Sequence, residues 1–142
     1  MIDKERVAAI RARYDGCFGC GTSNQIGLRL NWFMRDGNRV RVQFRPPQQY
    51  SGFTDVVHGG IVASALDEVM AWTAMLVEGV IVVTGTLDLR FRRPARTGTE
   101  FALVGTLESR RGRRLMIAAT MLDGDTVVAE ASAMFLVMED LD

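Results

Sequence analysis

The sequence has few of the residues that build metal sites and crosslinked scaffolds. Its 142 residues include one histidine and two cysteines. A disulfide framework needs more cysteines, and a structural zinc site usually needs four ligands. Two thiols and one histidine cannot complete such a site within one chain, which leaves only a site shared between subunits. No metal is therefore expected within one chain. Excess charge of either sign is also lacking, since 17 basic residues balance 17 acidic ones. Nothing global recruits nucleic acid or a membrane surface. The long apolar run Ile61 to Val77 is interrupted by Asp67 and Glu68 and does not read as a membrane span. The stretch Met1 to Tyr14 is charged and has no apolar core of the signal-peptide kind, so a cytoplasmic protein is expected.

What is present is ordinary for a single globular domain: 48% hydrophobic and 24% charged residues. Residues 1–16 read as an N-terminal helical segment over 3–14, with Asp3 as its N-cap, and 17–142 as the main domain. Between them lies Cys17-Phe18-Gly19-Cys20, whose neighbouring Gly21 and Gly27 mark a compact loop with reduced thiols.

Leu28 to Met34 reads as a strand, and Asp36-Gly37-Asn38 as a hairpin turn. Arg39 to Arg45 alternates, with Val40, Val42 and Phe44 on one face, until Pro46-Pro47 ends the ladder. A helix then runs from about Gly60 to Val77. It is apolar almost all round, which marks a buried helix. Trp72, Met70 and Met75 belong first of all to its core, and lining an adaptable acyl pocket is the other reading of the two methionines. Ser64, Asp67 and Glu68 form its one polar stripe.

Everything after Gly79 reads as strand. In Ile81 to Arg92, Leu87, Leu89 and Phe91 face one way. Thr84, Thr86, Asp88, Arg90 and Arg92 face the other, with Asp88 expected to pair with an arginine. Glu100 to Glu108, Arg114 to Leu122 and Thr126 to Val137 follow, separated by turns at Arg110-Arg111-Gly112 and Asp123-Gly124-Asp125. A run of antiparallel strands with one apolar helix implies an α+β fold, its sheet curled around that helix. One helix cannot cover the whole sheet, so a second copy is the simplest closure.

The chemistry concentrates in Val57-His58-Gly59-Gly60, which opens directly into the buried helix. Free backbone N–H groups at a helix start favour negative charge. The helix then carries Asp67 and Glu68 where an apolar core helix should have no acid. An oxyanion site beside an acid/base or nucleophilic carboxylate is the chemistry this suggests. Consecutive helix residues point about 100° apart, so the two acids should not share one job.

These stretches together resemble the hotdog fold and the 4-hydroxybenzoyl-CoA thioesterase superfamily, in its phenylacetate-pathway (PaaI-like) branch. The resemblance rests on Val57-His58-Gly59-Gly60 with Asp67 nine residues after the histidine. It rests also on Thr84-Gly85-Thr86-Leu87-Asp88-Leu89-Arg90-Phe91-Arg92-Arg93-Pro94, and on Cys17-Phe18-Gly19-Cys20-Gly21 with Ile26-Gly27-Leu28. It implies a six-stranded antiparallel sheet around a central helix and hydrolysis of acyl-CoA thioesters without cofactor. It implies Asp67 as general base or nucleophile, with Glu68 in support. It implies further that the Gly59 or Gly60 amide holds the oxyanion and that Thr84 helps hold the water, while His58, a lone histidine, reads as a structural residue that orients the turn. It places the site at the interface of a homodimer or dimer of dimers, with Asp67 and Thr84 from different subunits. One departure stands out: Gly52 occupies the place, six residues before the histidine, where several members have Asn or Gln.

Arg92, Arg93, Arg110, Arg111 and Arg113 are candidates for the phosphates of CoA, since guanidinium forks suit phosphate. Two other readings stay open: a hotdog hydratase acting on enoyl or hydroxyacyl thioesters through His58, and a non-catalytic acyl-CoA-binding module.

Overall fold

The structure, a computed structural model, describes residues 4–142. Asp3, the expected N-cap, lies outside them. Helix α1 spans Lys4–Arg13 and buries Val7 and Ile10 in the same core as the rest of the chain. Two short strands follow, β1 (Met34–Asp36) and β2 (Arg39–Phe44), joined at Gly37 with φ +62°. The buried members of β2 are Val40, Val42 and Phe44, as its alternation requires. A single 3-10 turn at Gln48–Tyr50 precedes helix α2 (Gly59–Glu78). Four long strands complete the chain: β3 (Val80–Phe91), β4 (Phe101–Arg111), β5 (Arg114–Asp123) and β6 (Thr126–Asp140).

The strands form one antiparallel sheet in the order β1-β2-β4-β5-β6-β3. Helix α2 packs against all six strands, which requires the sheet to curl around it. The helix is long and apolar enough to cross a membrane, yet half of it is buried inside this sheet. Trp72, Met70, Leu66 and Ala65 are fully enclosed, and Met75 nearly so. Trp72 stacks on Phe33 with ring centroids 4.2 Å apart and 9° between planes. Fully burying a side chain of this size contributes roughly 2–3 kcal/mol. The helix ends where Gly79 adopts φ +65° and donates its N–H to Met75 O at 3.1 Å. Only glycine takes that left-handed turn without strain.

The expected strand over Leu28 to Met34 is not there. Only Met34 joins the sheet. Arg29 (φ +55°) and Trp32 (φ +61°) are left-handed, and extended pairing cannot pass through such residues. The segment instead lies along the cysteine loop: Leu28 N–H donates to Phe18 O at 2.8 Å and Leu30 N–H to Gly19 O at 2.9 Å. Its Leu28, Leu30 and Phe33 are buried all the same, which accounts for the apolar pattern.

Strand β3 is an edge, and its pairing with β6 slips between Thr84 and Thr86. Gly85 is the extra residue of a bulge. Thr84 sits opposite Phe135, which is buried, so it faces the helix. Beyond the bulge Thr86, Asp88 and Arg90 oppose Met134, Ser132 and Glu130 and face outward. The sequence pattern placed Thr84 with that outward set, and the bulge reverses it.

Candidate active site

The turn before α2 is built around His58, which caps the helix by an unusual route. Its backbone N–H donates to Tyr50 O at 2.8 Å, and its Nδ1 accepts from the Gly60 N–H at 2.9 Å. An accepting Nδ1 leaves the proton of a neutral imidazole on Nε2. The histidine thus shapes the turn through its own side chain. The Gly60 amide is consumed in doing so and is not available to a ligand. The Gly59 amide is different: among the described residues it donates to no group, and it is exposed at the positive end of α2. Phe91, near the end of β3, flanks it.

Two turns along the helix, Asp67 is half-buried and accepts a 2.7 Å hydrogen bond from Thr84 Oγ1. Both residues belong to the same chain, which corrects the expectation that they come from different subunits. The bulge at Gly85 is what turns the Thr84 hydroxyl toward the helix. Between Gly59 and Asp67 the helix rises about 12 Å, at 1.5 Å per residue. The one free amide of the turn and the carboxylate are therefore too far apart to act on one carbonyl carbon.

Glu68 points elsewhere, as the 100° step between consecutive residues demands. Both its oxygens lie 3.7 Å from Cys17 Sγ. Cys17, Cys20 and Glu68 bring their donor atoms within 4.8 Å of one another. The chain thus gathers three potential ligands where its sequence offered two thiols and a distant histidine. Burial pushes the Glu68 carboxyl up to about 8, with the Cys17 sulfur adding to it. The Cys20 thiol, hydrogen-bonded to Cys17, holds Cys17 down at about 5, and the same contact drives Cys20 upward. Nothing in the residue spacing pointed to this cluster, because the loop and the helix are some fifty residues apart.

The arginines divide into two groups. Arg92 and Arg93 line a pocket of about 320 Å³ with Val57, Val62, Phe91 and Pro94, beside the start of α2. Arg92 Nη2 pairs with Glu130 at 2.5 Å. Arg110 reaches Glu78 at 3.8 Å, and Arg113 donates twice to Val137 O at 3.0 and 2.8 Å. Arg110, Arg113 and exposed Arg111 sit at the opposite end of α2, about 30 Å from the histidine turn in the same chain. Asp88 makes no ion pair among the described residues. Gln48, near the position of Gly52, is engaged with Thr97 at 3.0 Å.

A sheet curled around one apolar helix, with His-Gly-Gly at the helix start and an acid two turns on, defines the hotdog class of thioester-handling folds. The chain belongs to the thioesterase superfamily, whose family model matches residues 54–132, just over half of it. It is 22% identical over 142 residues to the acyl-coenzyme A thioesterase THEM4 of Bos taurus, covering 98% of this chain and 56% of that protein. The chain thus spans little more than half the length of that relative. Its fold matches the PaaI protein of the Escherichia coli phenylacetic acid degradation operon, with TM-score 0.78 and 16% identity over 96% of this chain and 94% of that one. It also matches smu.793 of Streptococcus mutans UA159 bound to acetyl CoA, with TM-score 0.72 and 14% identity over 80% of this chain and 91% of that one.

Proposed function

We propose that this chain hydrolyses acyl-CoA thioesters at a site shared by two copies, Asp67 and Thr84 from one and the Gly59 amide from the other. The single observation that carries the reading is the split of its parts. Asp67 is held by Thr84 at 2.7 Å, while the one free amide of the turn lies two turns of helix away.

The edge strand β3 supplies a way to join them. Leu87 (37% exposed) and Phe91 (55% exposed) leave an apolar edge uncovered on the helix side. An antiparallel pairing of β3 with its own copy, centred near Leu87, sets Thr84 opposite Arg90 of the other copy, next to the Phe91 that flanks Gly59. Asp67 of one copy then meets Gly59 of its partner.

In that arrangement the free oxygen of Asp67 takes a proton from water as the water attacks the carbonyl carbon. The Gly59 amide and the helix start hold the oxyanion, and the CoA thiolate leaves as the carbonyl reforms. His58 spends Nδ1 on shaping the turn, while Asp67 is held by Thr84 with one oxygen left for water, and this pair supports hydrolysis at Asp67 as the first reading. Arg92 and Arg93 line the pocket beside the turn, with Arg92 paired to Glu130, and this position supports Arg93 first as the partner of CoA phosphates. The bovine relative is an acyl-coenzyme A thioesterase and the Streptococcus protein holds acetyl CoA, which supports this substrate class. The two free thiols fit a reducing, cytoplasmic setting.

The test is thiol release from a panel of acyl-CoAs by wild type and Asp67→Asn. Turnover that falls by about two to four orders of magnitude in the variant supports the reading. Tight thioester binding without release by the wild type would replace it with a binding module.

A further inference from the structure

We propose that Cys17, Cys20 and Glu68 form a binding site for one thiophilic divalent cation of the zinc class, with its fourth position open to an adjoining cavity. The site is separate from the Asp67–Thr84 pair and does not depend on the hydrolysis reading.

The spacing is that of a coordination polyhedron. In a tetrahedral zinc site, with metal–sulfur bonds near 2.3 Å and metal–oxygen bonds near 2.0 Å, neighbouring donors stand roughly 3.5–3.8 Å apart. Cys17 Sγ lies 3.7 Å from each Glu68 oxygen, and all three donor groups fall within 4.8 Å. Two thiolates and a carboxylate carry three negative charges. A dication leaves one, and the Arg11 guanidinium, which donates to Cys20 O at 2.9 Å, is at hand to offset it.

The ligands are also held in advance. Cys17 N–H donates to Tyr14 O at 2.9 Å, and Gly21 N–H closes the loop on Cys17 O at 2.9 Å. The carbonyls of Phe18 and Gly19, between the two cysteines, are fixed by Leu28 and Leu30. A side chain at Gly19 would collide with the Glu68 carboxylate, so the loop is shaped to admit that group.

An independent observation comes from Trp72. Its ring is fully buried, and its indole N–H has no regular hydrogen-bond partner. It is aimed at the Cys20 sulfur. A buried donor without an acceptor is costly, and a metal-bound thiolate is the acceptor that would satisfy it. The fourth position looks into a cavity of about 160 Å³ lined by Tyr14, Ala71, Met75 and Val82, large enough for water or a small ligand atom. Such a cation fastens the loop before β1 onto α2, about 100° around the helix axis from Asp67.

The experiment uses the full chain, purified, reduced and stripped with chelator. Cobalt(II) is titrated while absorbance is followed, and zinc(II) is then added. The expected result is one cobalt per chain, with thiolate-to-cobalt charge transfer and tetrahedral d–d bands that zinc displaces. Zinc should also slow alkylation of both cysteines in the wild-type chain, a readout that needs no variant. Cys17→Ser and Cys20→Ser should abolish the charge-transfer signature, and Glu68→Gln should weaken binding at least about tenfold. The proposal fails if the reduced wild type takes up neither ion or gains no protection from zinc. It fails equally if folded Glu68→Gln binds cobalt with unchanged affinity and spectrum.

Discussion

Thr84 Oγ1 donates to Asp67 Oδ1 at 2.7 Å across the space between β3 and α2. The bond occupies one carboxylate oxygen and leaves the other free to meet water. Thr84→Val removes only the donor. It should lower kcat about tenfold, equivalent to about 1.4 kcal/mol, with KM little changed. Thr84→Ser should recover most of the loss. Steady-state thiol release decides it, and a Val variant of unchanged kcat would remove Thr84 from the site.

Gly59 offers a sharper test, because its amide serves no structural bond among the described residues. Proline is well suited to the first position of a helix, and His58 has the extended ψ of 135° that a following proline requires. Gly59→Pro should therefore fold normally and lose about 10²–10³ in kcat. Co-expressed with Asp67→Asn, it should regain part of the activity, since mixed dimers rebuild one site from the two intact halves. Mixed dimers as inactive as either parent would mean the parts do not come from two copies.

The exposed edge of β3 should decide assembly. A charge at Leu87, in Leu87→Glu, should shift the protein to monomer in light scattering and abolish activity with it, leaving the far-ultraviolet circular dichroism intact. A monomeric wild type with full turnover would overturn the shared site.

The two arginine groups should respond differently. Arg93→Ala should raise KM for acyl-CoA about tenfold through the loss of a charge-assisted bond to phosphate. Arg113→Ala should instead lower Tm, because its guanidinium holds the Val137 carbonyl. Thermal melts and saturation curves of both variants separate the cases.

How far the sequence discloses this molecule depends on whether a feature is local. The alternation of Val40, Val42 and Phe44 and the apolar run of α2 are periodic, and both map directly onto burial. Leu28, Leu30 and Phe33 imitate that signal, but the left-handed Arg29 and Trp32 take them out of the sheet, and alternation carries no trace of φ. Gly85 was a legible cue, since a glycine within a strand often marks a bulge, and it alone reverses the direction of Thr84. The meeting of Glu68 with Cys17 had no local signal at all: two segments distant in the chain are brought together by packing.

Asp67 and Glu68 are neighbours on one rigid rod, gripped about 100° apart around its axis by Thr84 and by the cysteine loop. A rod held in this way has one rotational setting. A twist of α2 that loosened Glu68 from the sulfurs would swing Asp67 away from the threonine through the same angle. The loop of Cys17 and Cys20 is thus the counterweight that keeps the neighbouring acid aimed.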